Sequence, residues 1–350
     1  MSFLQKIFSI KNETSKKHKI YKVITIMGIR LKFLNKEKTL LNLINAQQEN
    51  FNNELKKQSI EIKYLINMIC ANDKRLILLK DWYFKKTGEL LNLDSPQTFN
   101  EKIQWLKLYD STPLKTRLAD KYLVRGWIKE KIGEDYLIPL LGVWDKFDDI
   151  DFDKLPNQFV LKCNHGCGYN IIVTDKSKLD LNDASLKVNK WLNENFAFKH
   201  GFELQYSNIP RKIIAEEYIA SIDSDAPIDY KFICCDGNPI LCWVTNKKIK
   251  PHERSFYSLP QWNLEKIEYC DGGAILAKNP IEKPILLDKM IQICKTLAKD
   301  FPVVRVDLYS VGNKIFFGEM TFTSATGIAK FCPDEWNYIL GKAITLPSKQ

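Results

Sequence analysis

The chain is short of histidine, has no long apolar run, and lacks both common phosphate-binding glycine motifs. Each shortage removes a class of function. Only His18, His165, His200 and His252 occur in 350 residues, and no Ser/His/Asp or Cys/His set stands out, so a covalent enzyme intermediate is not expected. GxxxxGK[ST] is absent, as is a GxGxxG opening a helix, which sets aside P-loop and dinucleotide-binding folds. The apolar run Ile20 to Ile29 is too short to cross a bilayer. Met1 to Ile10 lacks the apolar core and cleavage site of a secretory signal, which places the protein in the cytoplasm. Nine cysteines, odd in number and without framework spacing, fit a reducing compartment.

The net charge of +10 is unevenly placed. Residues 1–38 hold ten Lys/Arg against Glu13 and Glu37, leaving the rest of the chain close to neutral. A basic groove tracking a nucleic acid is therefore not indicated, so no nucleic-acid partner is expected. The arm, with Lys16, Lys17, Lys19, Arg30 and Lys32 around its apolar run, is suited to rest on an anionic membrane surface at the inner face of the membrane. With 45% hydrophobic residues the remainder can bury a large core.

Proline and glycine are missing from Glu37 to Trp82, as a continuous helix requires. Within it Leu41, Ile44, Gln48, Phe51, Leu55, Gln58, Ile62, Leu65 and Ile69 step by three and four. That 3.5-residue period is a coiled-coil seam and favours a homo-oligomer, with a single amphipathic helix on its own chain as the alternative. Asp81 to Asp153 reads as mostly helical, with a cap at Ser95-Pro96 and an amphipathic stretch Phe99, Ile103, Leu106, Tyr109. Strands are expected at Phe159 to Lys162, Asn170 to Thr174, Lys212 to Ala220, Tyr230 to Cys234, Ile240 to Thr245, Val303 to Tyr309 and Lys314 to Met320. Helices are expected at Asp183 to Asn195 and Leu287 to Lys299.

Two segments carry chemistry. Phe159 to Thr174 puts Lys162 at a strand end, then Gly166 and Gly168 in a loop, then a second strand. Such a loop can present backbone N–H groups to a polyphosphate, or serve only as a hairpin turn; Cys163, His165 and Cys167 also admit a zinc reading that lacks a fourth ligand. In Val303 to Tyr309, alternation places Arg305, Asp307 and Tyr309 on one face. A three-residue loop Val311-Gly312-Asn313 would set Glu319 opposite Arg305 and diagonal to Asp307. The pair of carboxylates suits Mg²⁺; a surface Arg305–Glu319 pair is the plain alternative.

Together with Ile213-Ile-Ala-Glu216-Glu217-Tyr218-Ile219, these segments resemble the ATP-grasp superfamily. Ser95-Pro-Gln-Thr-Phe-Asn-Glu-Lys-Ile-Gln-Trp-Leu-Lys, Ala119-Asp-Lys-Tyr, Phe159-Val-Leu-Lys-Cys-Asn-His-Gly and Gly318-Glu-Met-Thr-Phe-Thr are similar to its TupA-like family, named for teichuronopeptide synthesis. The resemblance runs from about Asp81 to Gly341, leaves out the arm and the coiled coil, and implies an α+β ATP-grasp fold, two α/β subdomains clamping ATP; the coiled coil read from the seam precedes it. The expected order is a basic arm over 1–38, the coiled-coil helix over 39–72, a helical part over 73–158, and the ATP- and metal-binding region over 159–345. ATP and Mg²⁺ are the implied cofactors. The resemblance makes Lys121, Lys162 and Lys231 phosphate ligands and His165, Gly166, Cys167 and Gly168 the loop over ATP. Glu216 would meet the adenine amino group, with the main chain of Glu217, Tyr218 and Ile219 as its hinge. Asp307 and Glu319 would hold Mg²⁺, and Arg305 would be the catalytic cation. Thr321 stands where many relatives have Asn, which leaves one or two metal ions open.

The implied reaction is ADP-forming amide synthesis from a carboxylate-bearing saccharide, such as a uronic acid, and an amine, in capsular polysaccharide synthesis. Rival readings are a glycosyltransferase using Asp149-Ile-Asp151-Phe-Asp153 or Asp223-Ser-Asp225, and a scaffold binding anionic polymer. Lys248 and Arg254, in a basic stretch with Lys247, Lys250 and His252, are candidates for the saccharide or members of a solvated loop. Asn100, Glu101, Lys102, Gln104 and Trp105 form a polar-aromatic cluster on a helix.

Overall fold

The computed structural model describes residues 8–14, 20–26, 29–34, 37–70, 72–219, 228–246, 253–269, 275–278 and 280–349. It divides into two units, residues 1–66 and 67–350.

In the first unit most described residues of the basic arm lie in strands. β1 (Phe8–Thr14), β2 (Ile20–Ile26) and β3 (Ile29–Leu34) form an antiparallel meander. Their β-branched and aromatic content favours extended backbone, and Lys22 pairs with Phe33 and Val23 with Lys32. α1 (Glu37–Ile69) follows. Its seam residues Phe51, Leu55, Ile62, Leu65 and Ile69 are all exposed. The helix does not continue to Trp82. It ends at Ile69, where the Cys70 thiol donates to Asn67 O at 3.3 Å, and a new helix, α2 (Asn72–Thr87), begins.

The second unit continues with α3 (Phe99–Tyr109), α4 (Pro113–Ala119) and α5 (Val124–Lys131). α3 is capped by Thr98 and not at Ser95-Pro96. Thr98 Oγ1 accepts from Glu101 N, and the Glu101 carboxylate accepts from Thr98 N, closing a capping box. Phe99, Ile103 and Leu106 are buried, as their spacing requires. In the 81–153 stretch read as helical lies a strand, β4 (Leu140–Trp144). Five apolar residues in a row are too few to show a helical or an extended period.

β5 (Phe159–Cys163), β6 (Asn170–Val173), α6 (Leu181–Asn193) and β7 (Ile213–Glu217) complete the first layer, with strand order β4-β7-β5-β6, all antiparallel. Then come β8 (Ile228–Cys235), β9 (Asn238–Asn246), β10 (Glu253–Ser258), β11 (Asn263–Glu265), β12 (Glu268–Tyr269), β13 (Ile275–Leu276), α7 (Leu287–Ala298), β14 (Val303–Val311), β15 (Lys314–Thr321), β16 (Phe331–Cys332) and α8 (Glu335–Lys342). The larger sheet runs β11-β10-β9-β8-β14-β15, with β13 parallel to β10. α7 packs on one face, where Met290, Cys294 and Leu297 are buried with Val304, Val306 and Leu308. The other face carries the charges. Antiparallel helices-and-sheets architecture of this kind is α+β, as expected.

Candidate functional site

Cross-strand pairing brings Phe256, Trp243, Lys231, Asp307 and Glu319 into one row across β10, β9, β8, β14 and β15. Partners in register share a face, so these side chains stand together. Arg305, two residues from Asp307, joins them. Its Nε donates to Asp307 Oδ1 at 2.6 Å; its Nη2 donates to Asp307 Oδ2 at 2.7 Å and to Glu319 Oε1 at 2.6 Å. The guanidinium also lies over the Trp243 ring at 5.4 Å. Lys231 Nζ donates to Asp307 Oδ2 at 2.8 Å and to Asp229 at 2.5 Å.

The expected register was wrong in detail. The hairpin loop is Gly312-Asn313, two residues, so Val311 pairs with Lys314. Without any further change Glu319 would fall opposite Val306 and turn into the core, because a one-residue slip reverses every side chain. A bulge after Asp307 corrects this: Asp307 pairs with Glu319, Leu308 with Phe317, and Gly318 is the extra residue. A Cβ at Gly318 would stand 3.1 Å from Asp307 O and from the Tyr309 ring, tighter than most real contacts. Glu319 therefore lies directly opposite Asp307, and Thr321 faces Arg305. Thr321 Oγ1 donates to Glu319 Oε1 at 3.0 Å, which orients the carboxylate.

Burial alone would raise the Glu319 carboxyl, but Lys121, Arg305 and Lys231 outweigh it and pull it down to about 2. Burial would likewise lower Lys231, yet Asp307 and Asp229 hold it above its ordinary value. Glu319 is thus an ionised donor of hard oxygen, whereas burial raises the Asp307 carboxyl against the pull of Arg305 and Lys231.

The smaller sheet supplies a second cluster. Lys162 Nζ on β5 meets Glu216 Oε2 on β7 at 2.5 Å, and Arg125 Nη1 on α5 meets Glu216 Oε1 at 2.9 Å. Arg125 Nη2 is anchored on Ile138 O at 2.7 Å. Nothing in the sequence marks Arg125, which is one of several helix-surface basic residues. Between the clusters stands Lys121. Its Nζ donates to Gly166 O at 2.6 Å and lies 3.7 Å from Glu319 Oε2. The buried Asp120 carboxylate caps the Tyr122 and Leu123 N–H groups, and Lys121 N donates to Asn164 O at 3.1 Å, fixing the turn that aims the lysine.

The loop from Asn164 to Tyr169 is held at its root. Asn164 Nδ2 donates to Pro210 O at 2.8 Å and its Oδ1 accepts from Lys212 N at 2.7 Å. Gly168, at φ +75°, makes a turn an L side chain would strain. His165 turns inward: it is buried, Nε2 lies 2.9 Å from Trp191 O, and burial lowers its pKa to about 4. It acts as a neutral strut of the loop, the turn role left open above. Cys163 is buried in β5 and its thiol is pushed up to about 12 by burial, opposite to what a zinc thiolate needs.

Of the remaining candidates, Glu217 N donates to Pro139 O at 3.0 Å, Tyr218 and Ile219 are half-buried beside it, and Cys167 is exposed at the loop tip. Arg254 lies on β10, on the charged face, with Nε 3.4 Å from Thr245 Oγ1; it belongs to a strand and not to a loop. Lys248, with Lys247, Lys250, His252, Asp223 and Asp225, lies outside the described residues. Asp151 is a capping carboxylate, accepting from Asp153 N and paired with Lys154 at 3.0 Å. Asn100 and Gln104 are buried and hold the 326–329 backbone. Trp105 is buried with them.

The donor set fits a magnesium triphosphate. Lys121, Lys162 and Lys231 present point charges for phosphates, and two carboxyl groups in cross-strand register present hard oxygens for Mg²⁺. A family model described as TupA-like ATPgrasp matches residues 101–345. A search of curated proteins found no match. Among solved structures the chain is similar to a D-alanine–D-alanine ligase from Bacillus anthracis, at 16% identity over 59% of this chain and 57% of that one, TM-score 0.36. The corresponding ligase from Helicobacter pylori gives 14% identity over 65% of this chain and 61% of that one, TM-score 0.35. The ATP-grasp ligase PsnB, complexed with a variant of its minimal precursor, Mg and ADP, gives 12% over 96% and 83%, TM-score 0.34. The chain spans less than two thirds of either D-alanine–D-alanine ligase.

Proposed function

The chain belongs to the TupA-like ATP-grasp family, and from that premise we propose that it is an ATP-dependent, ADP-forming carboxylate–amine ligase. The observation that carries this reading is one guanidinium, Arg305, shared between Asp307 and Glu319, with Lys121 and Lys231 against the same two carboxylates. Asp307 and Glu319 would hold Mg²⁺, which supplies charge neutralisation to the triphosphate. Lys121, Lys162 and Lys231 exchange their carboxylate partners for phosphate oxygens. The Gly166 to Gly168 loop excludes water above them.

A carboxylate is a poor electrophile. Transfer of the γ-phosphoryl group to its oxygen gives an acyl phosphate and ADP. An amine then attacks the carbonyl carbon, phosphate leaves with the C–O bond pair, and the amine loses its proton. Arg305 is placed to steady the oxyanion. We assign the acid to a uronic-acid carboxyl of a surface polysaccharide, with Arg254 and Lys248 as saccharide contacts. α1 joins two or more copies through its seam, and the basic N-terminal residues bring the enzyme to the inner membrane face. Among the described residues no helix is long and apolar enough to cross a membrane.

The test is ADP release and product mass with ATP, Mg²⁺, a panel of uronic acids and a panel of amines. An amide product formed one-for-one with ADP is expected. Transfer of sugar from a sugar nucleotide without ADP would refute the reading.

A further inference from the structure

We propose that a cavity away from the nucleotide cluster binds a hydroxylated carboxylate of sugar-acid size. It has a volume of about 460 Å³ and lies between α2, the facing ends of α3 and α4, and the 198–208 segment. That volume is in the ordinary range for small-molecule sites.

Charge defines the ligand. Arg75, on α2, forms part of the wall, and its Nε is buried without a hydrogen-bond partner in the protein. The guanidinium carries a permanent charge, and a carboxylate is its natural charge-assisted partner. The carboxylate already in that wall, Asp110, is committed to a buried ion pair with Lys115. Arg75 therefore lines the cavity while the acid of that wall is committed to Lys115.

The remaining walls define the body of the ligand. Ser207 and Asn208 lie on one side, with Thr112 and Thr116 among the residues on the α4 side. Ser207 donates its proton to Leu204 O at 2.8 Å, so its oxygen is available to accept from a ligand hydroxyl. Leu204 and Phe198 supply apolar surface for C–H groups. A ring with hydroxyls and one carboxylate matches all three features.

The segment that lines the cavity is also tied to the end of the strand that carries Glu319. Along the 203–208 segment, Leu204, Ser207 and Asn208 line the cavity, while Glu203 accepts from Thr323 Oγ1 and Gln205 Nε2 donates to it at 2.9 Å. Thr323 follows β15, which carries Glu319. A sugar acid held here would be a unit of the acid substrate. Naming the ligand as part of the acid substrate rests on the ligase reading; binding in the cavity does not, and it is measured without ATP.

The experiment is calorimetric or NMR titration of the full, nucleotide-free chain with glucuronate, glucose and inorganic phosphate in turn. Glucuronate is expected to bind about tenfold more tightly than glucose, the effect of one charge-assisted pair. Arg75→Gln should bring glucuronate down to the glucose level, and Asn208→Ala, at an exposed position, should weaken both sugars alike. Glu319→Gln should leave glucuronate binding in place. Equal glucuronate affinity in the native chain and Arg75→Gln would overturn the proposal, as would absence of binding, tighter binding of phosphate than of glucuronate, or loss of binding in Glu319→Gln. A native chain that binds glucuronate through Arg75 yet never forms ADP would sink the ligase reading alone.

Discussion

In α1 apolar side chains lie in water; in the larger sheet charged side chains lie out of it. Phe51, Leu55, Ile62 and Leu65 are 47–57% exposed, whereas Asp307 is 2% exposed and is gripped by Arg305 and Lys231. Both arrangements are costly by themselves, and each implies something that is to bind. Exposed seam residues gain from a second apolar face. Buried charges are tolerated only when paired, and pairs made of lysine and carboxylate can be re-partnered by phosphate and metal. The helix is thus incomplete in apolar surface, and the sheet is complete only as a set of exchangeable charges.

The largest effect expected from disturbing this contrast is at Glu319. Glu319→Gln keeps the shape and removes the charge that Lys121 and Arg305 share, so ADP formation should fall by about 10²–10³. Asp307→Asn should do the same. Circular dichroism confirms that the variant is folded, and a rate within twofold of the native value would mean that the charged face is a structural ion-pair network.

A smaller effect is expected at the nucleotide cluster. Lys162 must leave Glu216 to reach phosphate, and Arg125 then remains as the only described cation on that carboxylate. Arg125→Gln should weaken ATP binding about tenfold, roughly the net worth of one charge-assisted hydrogen bond. Arg125→Lys should recover only part of it, since Arg125 reaches Glu216 and Ile138 O with two separate nitrogens of a planar fork that lysine lacks. Titration with ATP in the absence of acceptor reads this directly.

Acid should reach the body through His165 and His200, since burial lowers both to about 4. The folded pKa of His165, about 4, lies below the ordinary value of 6.5 because burial disfavours the charged ring. The folded state therefore binds fewer protons between these values. The contribution is fully present above pH 6.5 and is lost as pH falls from 6.5 toward 4, on the order of 2 kcal/mol. Glu319, also depressed, adds its loss in a lower window, as pH falls from about 4.5 to about 2. Thermal melts from pH 7 to pH 3 should show a falling midpoint, and His165→Asn should reduce the slope above pH 4, leaving the share of His200 and the change below pH 4 in place.

Much of the charged face could be read in the sequence, because a strand's alternation is local: Arg305, Asp307 and Tyr309 had to share a side. What joined Glu319 to them was less legible. The loop was one residue shorter than expected and the bulge at Gly318 restored the parity, so the correct face was reached by a wrong register. Lys162 and Glu216 were visible as parts of strands, but Arg125 was not, since its meaning lies in a neighbour ninety-one residues away. Local patterning also failed in two short or charged stretches. β4 is too brief to show a period, and the lysines of the N-terminal arm hid the strand-forming residues of β1 to β3.

The smallest effect on chemistry should come from α1, although its effect on mass should be complete. Leu55→Asp with Ile62→Asp places two charges in the seam. If the seam joins copies of the chain, sedimentation should show the native protein as an oligomer and the variant as a monomer. ADP formation per chain should stay within twofold, because Arg305, Asp307, Glu319 and the lysines around them all come from one chain. A monomeric native protein would instead leave α1 as a helix awaiting a different apolar partner. A variant that is monomeric and inactive would show that the seam also completes the site, and the separation between an incomplete helix and a self-sufficient charged sheet would no longer hold.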